Sequence, residues 1–172
     1  MSWIIICVFI AFFIYLIYNG ITLKLFGVPK SLSMTFYLLQ DKKNWTRIFF
    51  PIMMVGMAFL LLPAWLEISV GSLFQFLAFL TVTGIIFVGA VPTFKSSDLE
   101  NTVHMTSAIV AAIFAILWVI LVSKLWWTIV LWIATLGLTM WLTKTIKSSY
   151  IYWLETIAFM STFTSIIAYY FK

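Results

Sequence analysis

A chain of 172 residues that is 65% hydrophobic, 19% aromatic and only 9% charged falls far below the roughly 25% charged content of a soluble domain, which excludes a soluble enzyme or binding module. Because each membrane span takes about 20 apolar residues, the length allows a single transmembrane domain over residues 1–172 and no separate soluble one. The net charge of +5 comes from basic residues flanking apolar runs, where they report topology and anionic headgroups rather than nucleic acid, and the lone Cys7 rules out an internal disulfide or a cysteine metal site.

In chain order, the start from Met1 to Ile6 lacks the basic region of a secretory signal, and no small-residue cleavage pattern follows, so it reads as a retained first span. That span covers about Trp3 to Tyr18 and ends at Asn19-Gly20, or continues to Gly27, where Val28-Pro29 stops it. Ser31 to Gln40 starts with a possible serine cap and is too short to cross, so it reads as an interfacial or re-entrant helix. Asp41 to Arg47 is a polar, basic linker. Span two runs from Ile48 to Leu66 with Pro51 in its first turn. Span three runs from Ser72 to Val91, closed by Pro92. Span four then runs to Val122, and the short turn Ser123-Lys124 predicts a tight antiparallel hairpin with span five, Leu125 to Leu142. Span six covers Tyr150 to Phe171. The fold class is therefore all-α: a polytopic transmembrane helix bundle of six spans, with a short interfacial or re-entrant helix between the first two.

With the N-terminus outside, Lys24, Lys30, Lys42, Lys43, Arg47, Lys95, Lys144 and Lys147 fall on the cytoplasmic side and only Lys124 and Lys172 lie outside. This strong positive-inside bias puts both termini outside a bacterial inner membrane.

Polar residues are few enough to consider singly. Ser97-Asp98-Leu99-Glu100 has the spacing of a capping box. From Glu100 the helical period continues through His104, Ala108, Ala111 and Ala115, a face of small residues suited to close helix approach. Four residues separate Glu100 from His104, the only histidine, so the two side chains are within reach. His104 reads either as a packing histidine satisfied by Glu100 or a backbone carbonyl, or as a proton or ligand site, since ionisable groups inside membranes are costly. Glu155 lies about a turn inside span six, and Ala158, Thr162, Ser165 and Tyr169 continue its face as a polar stripe, serving either as interhelical glue or as a solvated path. Glu67 reads as an interfacial residue.

One histidine cannot supply the three protein ligands usual for catalytic zinc. The chain also lacks a nucleophile elbow, a P-loop and a glycine-rich dinucleotide loop. No cofactor or metal is expected.

The segments Phe87 to Lys95, Leu99-Glu100 and Val103 to Ala108, with Phe26 to Leu39, resemble a group of small polytopic membrane proteins of gut Bacteroidetes and their phages whose function is not established. The resemblance implies a bacterial or phage-encoded inner-membrane protein and brings no catalytic residue with it. From the residues themselves, the expectation is a homo-oligomeric channel or small transporter in which Glu100, His104 and Glu155 bind or relay a cation or proton. The alternatives are a scaffold that binds membrane lipids or a partner through Lys24, Lys30, Lys42, Lys43 and Arg47, and an intramembrane enzyme using His104 with Glu155, which the residues disfavour.

Overall fold

The computed structural model describes residues 3–172, the side chain of residue 146 excepted, and among them all regular structure is helical. Met1 and Ser2, part of the expected retained N-terminus, lie outside the described residues. Helix α1 (Trp3–Phe26) runs straight through Asn19-Gly20. The Asn19 amide does not end the helix because it is used inside the bundle: Nδ2 donates to the Tyr15 carbonyl at 2.9 Å, and Oδ1 accepts from the Tyr152 hydroxyl at 3.0 Å. The stop comes at Gly27, whose φ of +70° favours a residue without a Cβ.

Residues 28–33 connect α1 to the short α2 (Met34–Lys42); the Ser31 hydroxyl accepts the Met34 N–H at 3.2 Å in the turn that leads in, while Ser33, at the cap position itself, makes no side-chain cap bond. A 3₁₀ turn (Asn44–Ile48) leads into α3 (Phe49–Ile68). Helix α4 (Phe76–Ala90) begins later than the predicted Ser72, because residues 69–75 form tight turns in which Ser72 and Gln75 bond back to Ser69 and Ser72 carbonyls. Helix α5 (Asp98–Trp118) starts at Ser97, whose hydroxyl accepts the Glu100 N–H at 3.2 Å, and closes in a wide π turn (Val119–Ser123). Helix α6 (Trp127–Thr143) and α7 (Ile146–Tyr170) complete the chain, the latter kinked at Ser149.

Among the described residues, four helical segments are long and apolar enough to cross a membrane: Trp3–Phe26, Asn44–Ile68, Asp98–Ser123 and Lys147–Tyr170. The apolar α4 and α6 have 15 and 17 residues, about 22 and 25 Å at 1.5 Å per residue, against a hydrocarbon core of about 30 Å. The expected tight hairpin between α5 and α6 does not form. The π turn and the left-handed Lys124 (φ 58°) swing the chain away, and α6 packs on α7 instead.

Antiparallel order gathers most basic side chains at one end of the bundle. There the α1–α2 connector, the start of α5 and the start of α7 meet, as the bonds from Ser33 to His104 and from Tyr152 to Lys30 show. At the other end Glu67 accepts a hydrogen bond from the Tyr170 hydroxyl, and the Ser123 and Ser165 hydroxyls are 2.6 Å apart.

Helix α4 is wedged between α3 and α5, and its crossing with α5 is the tightest in the bundle around a glycine. A Cβ at Gly84 would lie 2.8 Å from the Ala111 nitrogen and the Ser107 carbonyl oxygen, both backbone atoms, whereas one at Gly137 in α6 would meet nothing within 4 Å. Gly84→Ala should therefore cost about 1–3 kcal/mol through overpacking, read as a lowered melting temperature in detergent. Gly137→Ala should leave it unchanged or slightly raised, and equal behaviour of the two would contradict the close α4–α5 contact.

Candidate functional site

Inside an apolar bundle, any stretch of non-helical backbone must find partners for its N–H and C=O groups. The connector after α1 is such a stretch, and its tail is buried: Leu32 and Ser33 are 2% and 4% exposed, and Thr35 in the first turn of α2 is 0% exposed. Its partners come from three helices. The kink at Ser149 interrupts the α7 hydrogen-bond ladder, so the Tyr152 N–H is free to donate to the Lys30 carbonyl at 3.2 Å, and the Ser149 hydroxyl donates to the Val28 carbonyl at 3.3 Å. One turn further along α7, the Glu155 carboxylate accepts the Leu32 N–H at 2.6 Å. From α1, the Tyr18 hydroxyl lies 2.5 Å from Thr35 Oγ1; since Thr35 donates to the Leu32 carbonyl, Tyr18 is the donor.

The third anchor is His104, 2% exposed on α5. Its Nδ1 lies 2.8 Å from the Val91 carbonyl and its Nε2 lies 2.8 Å from Ser33 Oγ. A carbonyl only accepts, so Nδ1 carries a proton; in the neutral ring Nε2 then accepts from the Ser33 hydroxyl. Val91 closes α4 just before Pro92, and its carbonyl is one of the orphan acceptors of a helix end. Phe94 stacks on the imidazole with ring centroids 4.7 Å apart. His104 thus ties α4, α5 and the connector together.

The residues singled out in the sequence are sorted accordingly. Glu100 does not pair with His104: both ring nitrogens are taken by Val91 and Ser33, and one Glu100 carboxylate oxygen is buried without a partner. The i, i+4 spacing is real, but the uncapped end of α4 competes for the imidazole. His104 and Glu155 do not touch either, yet they hold adjacent residues of one segment, Ser33 and Leu32. Lys24, Lys30, Lys42 and Lys43 are exposed at the same end, and Arg47 is half-buried with its guanidinium 6.0 Å from the Phe36 ring centre. On α7 the expected stripe holds through Glu155, Ala158, Thr162 and Ser165, but Tyr169 is exposed, and it is Tyr170 that bonds to the exposed Glu67 at the far end of the bundle. Sequence reasoning missed Ser33, whose role depends on a partner 71 residues away.

Above the connector lies a cavity of about 50 Å³, walled by α3, α4, α5 and α7. Its lining is apolar or small apart from Ser33, Thr81, Thr162 and Glu155, and both threonines donate back to carbonyls of their own helices, those of Leu77 and Ala158. Since one water needs roughly 10–15 Å³ by such a measure, there is room for one to a few waters beside the carboxylate. No group of three or more His, Cys, Asp or Glu side chains suited to a metal ion occurs among the described residues. Ser33 and His104 stand at the separation used by a nucleophile and its base, but the neighbouring Leu32 N–H, an obvious oxyanion donor, is engaged by Glu155.

If these bonds hold the connector, His104→Ala and Glu155→Ala should each cost about 1–3 kcal/mol by leaving buried groups unpaired, and tryptic cleavage after Lys30 in detergent should quicken several-fold. Glu155→Gln keeps an acceptor for Leu32 and should cleave at the wild-type rate. Identical rates in all four proteins would show that the connector is held by something else.

Compared with protein-family models, curated proteins and solved structures, the chain finds no match. No activity is therefore carried over from a relative, and the chemistry rests on the side chains described above.

Proposed function

We propose that the chain is a multi-pass protein of the bacterial inner membrane, acting as a proton channel or small proton-linked transporter, with Glu155 as the group that takes up and releases the proton. The observation that carries this reading is the setting of Glu155: a carboxylate inside a long apolar helix, with one N–H partner, opening on a cavity with room for water. Burying a charge at such depth is costly unless it is paired or protonated, and ionisable groups kept inside membranes mark proton or ion pathways. The choice of a proton over a metal cation follows from the ligand set, because a single carboxylate among apolar walls offers too few oxygens for a dehydrated ion. Ser33 lines the cavity and touches His104, so a water there has a hydrogen-bonded link towards the basic end. Glu100, expected as a third member, stands outside this link.

In this reading the basic end is cytoplasmic and both termini are outside, following the asymmetry of lysine and arginine. The membrane is crossed six times: α4 and α6 span together with their flanking turns and some local thinning of the bilayer. The Val28–Thr35 segment is re-entrant in the sense that it enters the bundle from the basic end and leaves by it. The outer face of α6, with Ile133, Leu138 and Trp141 exposed, is open to lipid or to the second copy expected of a homo-oligomer. The bacterial or phage origin rests on the resemblance noted in the sequence.

Purified protein in liposomes carrying a trapped pH dye should dissipate an imposed proton gradient, and Glu155→Gln should reduce the rate to that of protein-free liposomes. Wild-type-like flux in that variant, or none in the wild type, sinks the proton reading. Topology is checked separately in spheroplasts with a membrane-impermeant maleimide. Lys124→Cys should label in intact spheroplasts, and Lys42→Cys and Lys147→Cys only after lysis; the opposite pattern would invert the topology.

A further inference from the structure

A second feature lies on the outside of the bundle, between α1 and α3 at the basic end. Between them runs a groove of about 610 Å³, within the usual size of ligand sites, roughly 300–1,000 Å³. One wall is a helical stripe of α1 from Ile14 through Ile17 and Ile21 to Leu25; the other includes Phe49 and Ile52 of α3. Its floor is closed by Thr22 and Met53, 1% and 2% exposed, while Ile17 and Ile52 stand 60% and 58% exposed along its lips. The Thr22 hydroxyl bonds to the Tyr18 and Asn19 carbonyls of its own helix, so the floor presents no free polar group.

The groove ends at a polar cap. Lys42, Lys43 and Trp45 line it there, beside Leu39 and Thr46. Asp41 is adjacent in sequence, but it is absent from the lining, and the surrounding end of the bundle is strongly basic. From Ile14 to Leu25 is about 16 Å of helix, close to half of a hydrocarbon core of about 30 Å. An apolar channel as long as one leaflet, ending in two ammonium groups and a tryptophan at headgroup level, has the dimensions and charge of one particular occupant.

We propose that this groove is a binding site for an anionic glycerophospholipid of the cytoplasmic leaflet, one acyl chain lying against α1 and α3 and the phosphate held by Lys42 and Lys43. Charge complementarity selects the occupant. A zwitterionic lipid would fill the same groove but gain less from the two lysines, because anionic surfaces reward each nearby basic residue. The inference depends on the membrane placement proposed above and is independent of the proton reading.

Native mass spectrometry of the full chain in detergent tests it, with equal amounts of phosphatidylglycerol and phosphatidylcholine added. The wild type should retain one phosphatidylglycerol per chain with roughly ten-fold preference. The Lys42→Gln/Lys43→Gln double variant should lose that preference. Lys144→Gln/Lys147→Gln, at the same end but outside the groove, should keep it. Ile21→Trp, which fills the groove, should weaken retention of either lipid. Equal retention of the two lipids by the wild type, an equal loss in both lysine pairs, or a lipid-free dimer covering the groove would overturn the proposal. Protein that stays soluble without detergent would instead overturn the membrane placement.

Discussion

The need to satisfy backbone polar groups away from water governs the basic end of this bundle. A connector that leaves one helix and starts another without returning fully to the surface exposes carbonyls and N–H groups that, unpaired, would each cost about 1–3 kcal/mol. The chain meets that cost by breaking the regularity of a neighbour. The kink at Ser149 removes one hydrogen bond from the α7 ladder and gives the donor to the Lys30 carbonyl, and the Ser149 hydroxyl reaches the Val28 carbonyl. Two irregularities, 121 residues apart in sequence, thus complete each other.

The same requirement places the ionisable groups. His104 meets an orphan carbonyl at the end of α4 with one nitrogen and a connector hydroxyl with the other; Glu155 meets a connector N–H. Glu155 both accepts the Leu32 N–H and lines the cavity, so in the proton reading proposed above one side chain would serve the connector and the pathway together. At His104 the two roles are less compatible. Its Nδ1 proton points at a carbonyl that cannot pass it on, so the ring can hold a proton at the end of a link but does not extend that link further.

Much of the helical layout was legible in the sequence, since apolar runs of the right length and glycine or proline stops are local signals. Gly27, Pro92 and the Ser97 cap lie where they were expected. The contacts that define the site were not local. Nothing in the run Ser31 to Gln40 announces that Ser33 meets the only histidine, or that the partner of Glu155 is a main-chain N–H. Asn19-Gly20 read as a boundary because a polar amide in an apolar run suggests an exit to water; here it meets Tyr152 across a helix interface instead. The short turn after Ser123 suggested a packed pair, but loop length fixes only where two helices are joined, and the π turn with a left-handed residue sets the direction in which the second one leaves.

The cavity wall has a mechanical consequence. Where α5 faces α7 across it, α5 contributes Ala108, Ala111, Ala112 and Ala115 against Glu155, Ala158, Phe159 and Thr162 of α7; the alanines have few atoms to attract a neighbour, and dispersion accumulates only with the number of atoms in contact. On either side the joints are tighter: α4 meets α5 backbone to backbone at Gly84, and α6 rests on α7. On the α5 side, the wall beside Glu155 is therefore held by little side-chain attraction, and its strength comes from the backbone contact with α4 behind it.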